Sequence, residues 1–205
     1  MSNPTGNEIG YSIQITGAVG DTATLPSVLD SFFQETDGAW AMVFDILFAD
    51  DDYNVFFGGG AGSSSFKLMR NKASGKIDLE LIDESGDHRD YTWDAVFKKG
   101  QWYTIVVNGT GSGADGVALY VDGVLQSISA QVNDAGFDAA ISMSLKFGDI
   151  DATNLGAFKF AKPYFYSRNL TADEITALTS LKKYPSDFLY AWNFKRPNIG
   201  INHTI

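Results

Sequence analysis

Apolar and polar residues alternate with a period of two along much of the chain, the spacing of strands that bury one face. In GYSIQITG, Tyr11, Ile13 and Ile15 fall on one side and Ser12, Gln14 and Thr16 on the other. DTATLP follows a Gly-Asp turn, and the mixed residues 26–37 read as a short helical turn or a loop. GAWAMVFDILFADDD is apolar enough to predict a long strand buried on both faces, ending in an acidic turn at Asp50, Asp51 and Asp52. YNVFFGGG predicts a further strand, with GGGAGSSS as a flexible hairpin connection. That glycine run lacks the Gly-Lys-Ser/Thr ending of a phosphate-binding loop, and no helical pattern follows it. FKLMR, KIDLELID and YTWDAVF supply three more short strands separated by turns.

In WYTIVVNG the alternation sets Tyr103, Ile105 and Val107 against Trp102, Thr104 and Val106. VALYVDGVLQ places Val117, Leu119 and Val121 together before Asp122-Gly123, a dipeptide strongly preferred in the two-residue turn of antiparallel hairpins. These segments predict a three-strand meander with TGSGADG as its loop. ISMSLKFGDID and LGAFKFAKPYFYS continue the strands. One helix interrupts them: LTADEITALTSLKKY has Thr171 as N-cap, Glu174 three residues later as its capping-box partner, and a stripe of Ile175, Leu178 and Leu181. It is expected at the sandwich edge. DFLYAWNF would align Phe188, Tyr190, Trp192 and Phe194 on one face, as core or as a sugar-stacking platform. Strands recurring at this spacing predict an all-β sandwich or barrel.

Composition narrows the partners. The 205 residues hold 15 basic and 25 acidic side chains, a net charge of −10, which repels phosphate backbones and anionic lipid. Nucleic acid and membrane insertion are therefore set aside. With 44% hydrophobic residues the chain can bury a large core as one domain. There is no cysteine, hence no disulfide framework and no thiolate chemistry. MSNPTGNEIG has neither the basic nor the apolar region of an uncleaved signal peptide.

WYTIVVNG followed by LYVDG, FGD and FYSRNLTADEITAL resembles the laminin-G-like and pentraxin-like branch of the concanavalin A-like lectin and glucanase superfamily, over residues 11 to about 194. The resemblance implies a two-sheet antiparallel jelly-roll sandwich with one short helix towards the C-terminus, and with first and last strands adjacent. It also implies that Asp122, Gly123, Thr171 and Glu174 are architectural. Residues 1–194 are expected to form the domain and 195–205 an extended tail. Functions in the superfamily range over glycan binding, protein binding, glycoside hydrolysis and the building of virus particles, so the fold alone does not choose among them.

No catalytic set emerges. Asp78 and Glu80 share a strand face, but the acid identities are exchanged relative to the glucanase pattern, and a solvated strand face explains them. Calcium is the candidate cofactor, although none is required: Asp50, Asp51, Asp52 and Asn54 crowd oxygens into one turn, and Asp149 with Asp151 into another. The sequons at Asn108, Asn169 and Asn202 read as coincidence. The tail carries Lys195, Arg196, Ile199, Ile201 and Ile205, which suit contact with other protein subunits of an assembly. The resulting expectation is a non-enzymatic virus-particle decoration or structural module that adheres to surface glycans, located on a virion or extracellular surface. The alternative is a calcium-dependent lectin module, and a glycoside hydrolase stands third.

Overall fold

The computed structural model describes residues 12–18, 20, 22–29, 39–50, 54–61, 64–109, 116–134, 143–148, 156–181, 183–188 and 190–191. Its strands are β1 (Ile13–Ile15), β2 (Thr22–Thr24), β3 (Trp40–Phe48), β4 (Asn54–Ala61), β5 (Ser64–Arg70), β6 (Lys76–Ile82) and β7 (His88–Val96). These are followed by β8 (Trp102–Gly109), β9 (Val117–Val121), β10 (Val124–Leu125), β11 (Ile128–Asn133), β12 (Lys146–Gly148), β13 (Phe158–Tyr166) and β14 (Tyr190–Ala191). Helix α1 spans Ala172–Leu181, and a 3-10 turn occupies Ser27–Leu29. One sheet runs β1-β13-β3-β8-β9-β10 with β14 also on β13; the other runs β11-β7-β6-β5-β4-β12-β2. The strand pairs are antiparallel. The predicted sandwich is therefore the observed architecture, and the WYTIVVNG to VALYVDGVLQ meander is β8-β9-β10.

The core lies between the sheets and follows the alternation. Met42, Phe44, Ile46 and Phe48 of β3 and Tyr103, Ile105 and Val107 of β8 face Phe56, Phe57, Phe66, Leu68, Leu79, Tyr91 and Trp93 of the opposite sheet. Phe147 stacks on Phe160 across the gap, with ring centroids 3.9 Å apart. The strands β1 and β14 lie one after the other along β13, at Phe158–Phe160 and Tyr164–Phe165, on the edge that β3 leaves open. First and last strands thus neighbour each other.

On its outer face β3 presents Ala41, Val43 and the buried Asp45, which explains its apolar density. Thr104 Oγ1 donates to Asp45 Oδ1 at 2.6 Å, and Lys162 Nζ stands 3.9 Å from Asp45 Oδ2. Here α1 docks. Ile175 and Leu178 settle on Ala41, Val43, Val106, Tyr166 and Leu170. The helix therefore covers the outer face of the first sheet, not the sandwich edge, because that is where an apolar bed exists. Leu181, the last helical residue, is 73% exposed and does not extend the buried stripe.

The turns match their chemistry. Asp122 and Gly123 have φ values of 50° and 84°, the pair of positive angles required by the tight hairpin turn. Asp122 Oδ1 also accepts from the Thr104 N–H at 2.8 Å, so the turn is fastened to β8. The capping box closes reciprocally: the Thr171 N–H donates to Glu174 Oε2 at 2.8 Å, and the Glu174 N–H donates to Thr171 Oγ1 at 3.3 Å.

Two expectations change. Gly58, Gly59 and Gly60 belong to β4, paired with Lys67, Phe66 and Ser65, so the glycine run is strand and only residues 62–63 separate β4 from β5. Its glycines admit close neighbours: a Cβ on Gly59 would stand 2.4 Å from the Ser144 carbonyl oxygen. The aromatic stripe also divides. Phe188 packs edge-on to Tyr164 outside the first sheet, whereas Tyr190 packs on Phe165 of the core. Trp192 and Phe194 lie outside the described residues.

Candidate functional site

The second sheet turns its other face away from the core, and alternation decides what that face carries. In β6 the buried Ile77, Leu79 and Leu81 point inward, leaving Lys76, Asp78, Glu80 and Ile82 on the outside. In β7 Arg89, Tyr91 and Trp93 are buried, leaving His88, Asp90, Thr92 and Asp94 outside. Strand registers then align Lys67, Glu80, Asp90 and Val132 in one row, and Met69, Asp78, Thr92 and Ala130 in the next. Whereas α1 covers the outer face of the first sheet, no helix among the described residues lies over this row.

Three carboxylates meet here in different environments. Glu80 pairs with Lys67, with 2.9 Å between Oε1 and Nζ. Asp78 Oδ2 accepts a long 3.5 Å contact from Asn71 Nδ2, and its buried Oδ1 meets no protein donor. Asp90 faces Glu80 directly, has His88 Nδ1 at 3.6 Å from Oδ2, and also keeps a buried Oδ1 without a donor. Burial first, and then the Glu80 charge, raise the Asp90 pKa above the usual aspartate range, while His88 opposes the shift. Like charges directly opposite on adjacent strands destabilise a sheet, so this row is held against local preference.

Ionised carboxylates only accept hydrogen bonds, and two here retain a lone-pair-bearing oxygen turned from any protein donor. The partly exposed side chains of Glu80 and Asp90 suit a ligand that brings hydroxyl or amide donors. Of the predicted pair, Glu80 is committed to Lys67 and also faces Asp90 on the neighbouring strand. Asp78 and Glu80 do share a face, as the alternation implies; Asp90 was missed because its position opposite Glu80 depends on register, which no local pattern encodes. The outer positions of β4 to β7 and β11 hold no aromatic side chain among the described residues, so sugar stacking finds no platform in this row.

Of the predicted calcium residues, only the Asp50 side chain lies among those described. Asp50 Oδ2 accepts from the Ala157 N–H at 2.8 Å and so fastens the β3 end to the approach of β13. Asp51, Asp52, Asp149 and Asp151 lie outside the described residues, as does the Asn54 side chain. Among the described residues no three acidic or histidine side chains converge on a metal position. Lys195, Arg196, Ile199, Ile201 and Ile205 of the tail also lie outside them.

The sequons are structural where described. Asn108 is buried; its Nδ2 donates to Leu170 O at 2.8 Å and its Oδ1 accepts from Leu170 N at 3.2 Å. Asn169, with its amide nitrogen turned to two carbonyls, donates to Gly109 O at 2.7 Å and Trp40 O at 3.0 Å. Asn202 lies outside the described residues. No helix among the described residues is long and apolar enough to cross a membrane.

Comparison with known proteins places this geometry in a family. Residues 17–176 match the family model described as the concanavalin A-like lectin/glucanases superfamily. No curated protein matches in sequence. Among solved structures, the receptor binding domain of botulinum neurotoxin C/D mosaic serotype is similar at a TM-score of 0.63 and 15% identity, covering 83% of this chain and 42% of that one. The binding domain of botulinum neurotoxin serotype D gives 0.62 and 14%, with the same coverage. A heptameric SAP-like pentraxin from Limulus polyphemus gives 0.50 and 12%, covering 73% of this chain and 74% of that one. The chain thus spans under half of the toxin domains it resembles, and at these identities the likeness is one of fold. With the family model covering most of the sandwich, the chain belongs to the concanavalin A-like lectin/glucanases superfamily.

Proposed function

We propose that the protein is a non-enzymatic contact module that binds surface glycans through the outer face of its second sheet, as a decoration or structural component of a virus particle. The observation that carries the glycan reading is the row of Asp78, Glu80 and Asp90 on the outer face of the second sheet, which no helix among the described residues covers. Sugar hydroxyls donate to carboxylates, and Lys67 and Thr92 add polar contacts beside them. The virus-particle setting is supported by the sequence of the tail, where Lys195 and Arg196 precede alternating Ile199 and Ile201 in an otherwise acidic chain. Calcium belongs to the same proposal, through the Asp50–Asp52 and Asp149–Asp151 turns.

A glycan array probed with the protein in calcium, and again in chelator, tests the ligand. Specific retention supports the reading, and its loss in chelator assigns calcium a part. Silence of the folded protein counts against it. Deleting residues 195–205 tests the setting separately: the account expects incorporation into the assembly to fail, and unchanged incorporation contradicts it.

A further inference from the structure

The outer face of the first sheet is covered for only part of its length. Helix α1 lies on Ala41, Val43 and Val106, and the row formed by Ala161, Asp45 and Thr104 is still buried. Two residues further along β3 the cover ends. The row there runs Gln14, Lys159, Leu47 and Trp102 across β1, β13, β3 and β8, with Gln14 exposed and the other three half-buried. Alternation turns it outward, because Ile15, Phe158, Phe160, Ile46, Phe48 and Tyr103 beside it point into the core.

Trp102 is unlike the other tryptophans among the described residues. Trp40 lies edge-on to Phe66 and Trp93 stacks on Tyr91, whereas Trp102 meets no aromatic ring among them. The charge is unlike the rest of the chain too. Lys159 stands in the row, and Lys98 and Lys99 in the turn that leads into Trp102, held at the end of β3 by the Gly100 N–H donating to Phe48 O at 2.8 Å. None of these three lysines joins an ion pair among the described residues, where Lys67, Lys76, Lys162 and Arg168 all do. The nearby carboxylates are engaged elsewhere: Asp45 with Thr104 and Lys162, Asp122 with the Thr104 N–H, and Asp50 with the Ala157 N–H. Acidic residues outnumber basic ones 25 to 15 in the chain, so a row and turn with three lysines and no acid reverse the general balance locally.

We propose that this row is a docking surface for a short acidic segment of a partner protein, which sets an apolar side chain on Trp102 and Leu47 and its carboxylates on Lys159 and the Lys98–Lys99 turn. Charge complementarity selects this occupant. The net charge of −10 is spread over the whole chain and is screened beyond about 8 Å at physiological salt, so it disfavours a broad acidic surface while leaving a short segment among the lysines to their local field. The half-buried indole supplies a large, rigid apolar area of the kind that anchors protein contacts. Two strand spacings, about 10 Å, separate β8 from β13, so three residues of extended peptide reach from Trp102 to Lys159. The inference goes beyond the glycan reading and does not rest on it, because the row lies on the opposite side of the sandwich from Asp78, Glu80 and Asp90.

A random-peptide display library panned against the full-length protein tests this. Enriched sequences are expected to carry acidic residues on both sides of an apolar one, and the matching synthetic peptide to bind in calorimetry with an affinity that falls as salt rises. Trp102→Ala and Lys159→Glu are each expected to weaken that binding roughly tenfold or more. Lys159→Glu alters a half-buried surface side chain outside the core, so it keeps the test decisive even where Trp102→Ala fails to fold. No enrichment, enrichment of sequences without acidic residues, or acidic peptides that bind Lys159→Glu as tightly as the native chain would each overturn the proposal.

Discussion

Glu80 and Asp90 stand directly opposite each other on adjacent antiparallel strands, two carboxylates in a cross-strand position where a salt bridge would stabilise the sheet. Their placement is the clearest conflict between local stability and surface chemistry on the second sheet. It also gives that face a measurable signature.

Asp90→Asn removes the repulsion and keeps the shape. Because the folded pKa of Asp90 is raised, the folded state binds its proton more readily than the unfolded chain, and the ionised group costs stability as pH rises through the folded pKa. Urea unfolding near pH 7 is expected to show the variant more stable by about 0.2–1 kcal/mol. The gain should vanish below the ordinary aspartate pKa. A variant less stable at both pH values would contradict this account of the pair.

Glu174 behaves in the opposite sense. Hydrogen bonds from Arg168 at 2.7 and 2.8 Å, with further help from Thr171, hold its pKa down at about 2. Its contribution is therefore present above the ordinary glutamate range and is lost as pH falls from about 4.5 towards 2. Glu174→Ala is expected to cost roughly 1–2 kcal/mol at neutral pH through loss of the cap and the Arg168 fork. Thermal melts across that acid window should show a smaller pH dependence in the variant.

Asn108→Ala should cost about 1–3 kcal/mol, because it leaves both backbone groups of the buried Leu170 without their partner. The same burial predicts an unmodified Asn108 when the protein is produced in a glycosylating host. Mass spectrometry of the peptide containing it checks that outcome.

Gly123→Ala meets two obstacles. Its φ of 84° disfavours a side chain, and the new Cβ would stand 2.6 Å from Thr179 Oγ1 of α1. Destabilisation above about 1 kcal/mol is expected, with partial recovery when Thr179→Ala is added. Full additivity of the two changes in chemical denaturation would show that the helix does not press on the hairpin.

The sandwich was legible because its signals are local. Alternation in KIDLELI, the Asp122-Gly123 turn and the Thr171–Glu174 box each act within a few residues, and each appears in the structure as expected. What depends on register or on docking was not legible. Alternation places Asp78 and Glu80 outward, but only the pairing of β6 with β7 sets Asp90 opposite Glu80. The amphipathic pattern of α1 identifies its buried side without saying which surface receives it. Asp50 accepts from the N–H of Ala157, 107 residues away in the chain, a contact that no local pattern encodes. Phe188 and Tyr190 share a period-two pattern, but the strand begins only at Tyr190, so the pattern does not bind them to one face.

The outer face of the second sheet as a binding surface is tested most directly on a single glycan array, probed with the native chain and with the Asp78→Ala/Glu80→Ala double variant, each shown to be folded, with released reducing sugar assayed alongside. The account predicts that the native protein retains a defined set of glycans without cleaving them and that the double variant retains none. Equal retention by both proteins, or sugar release by the native protein that the double variant loses, would contradict it.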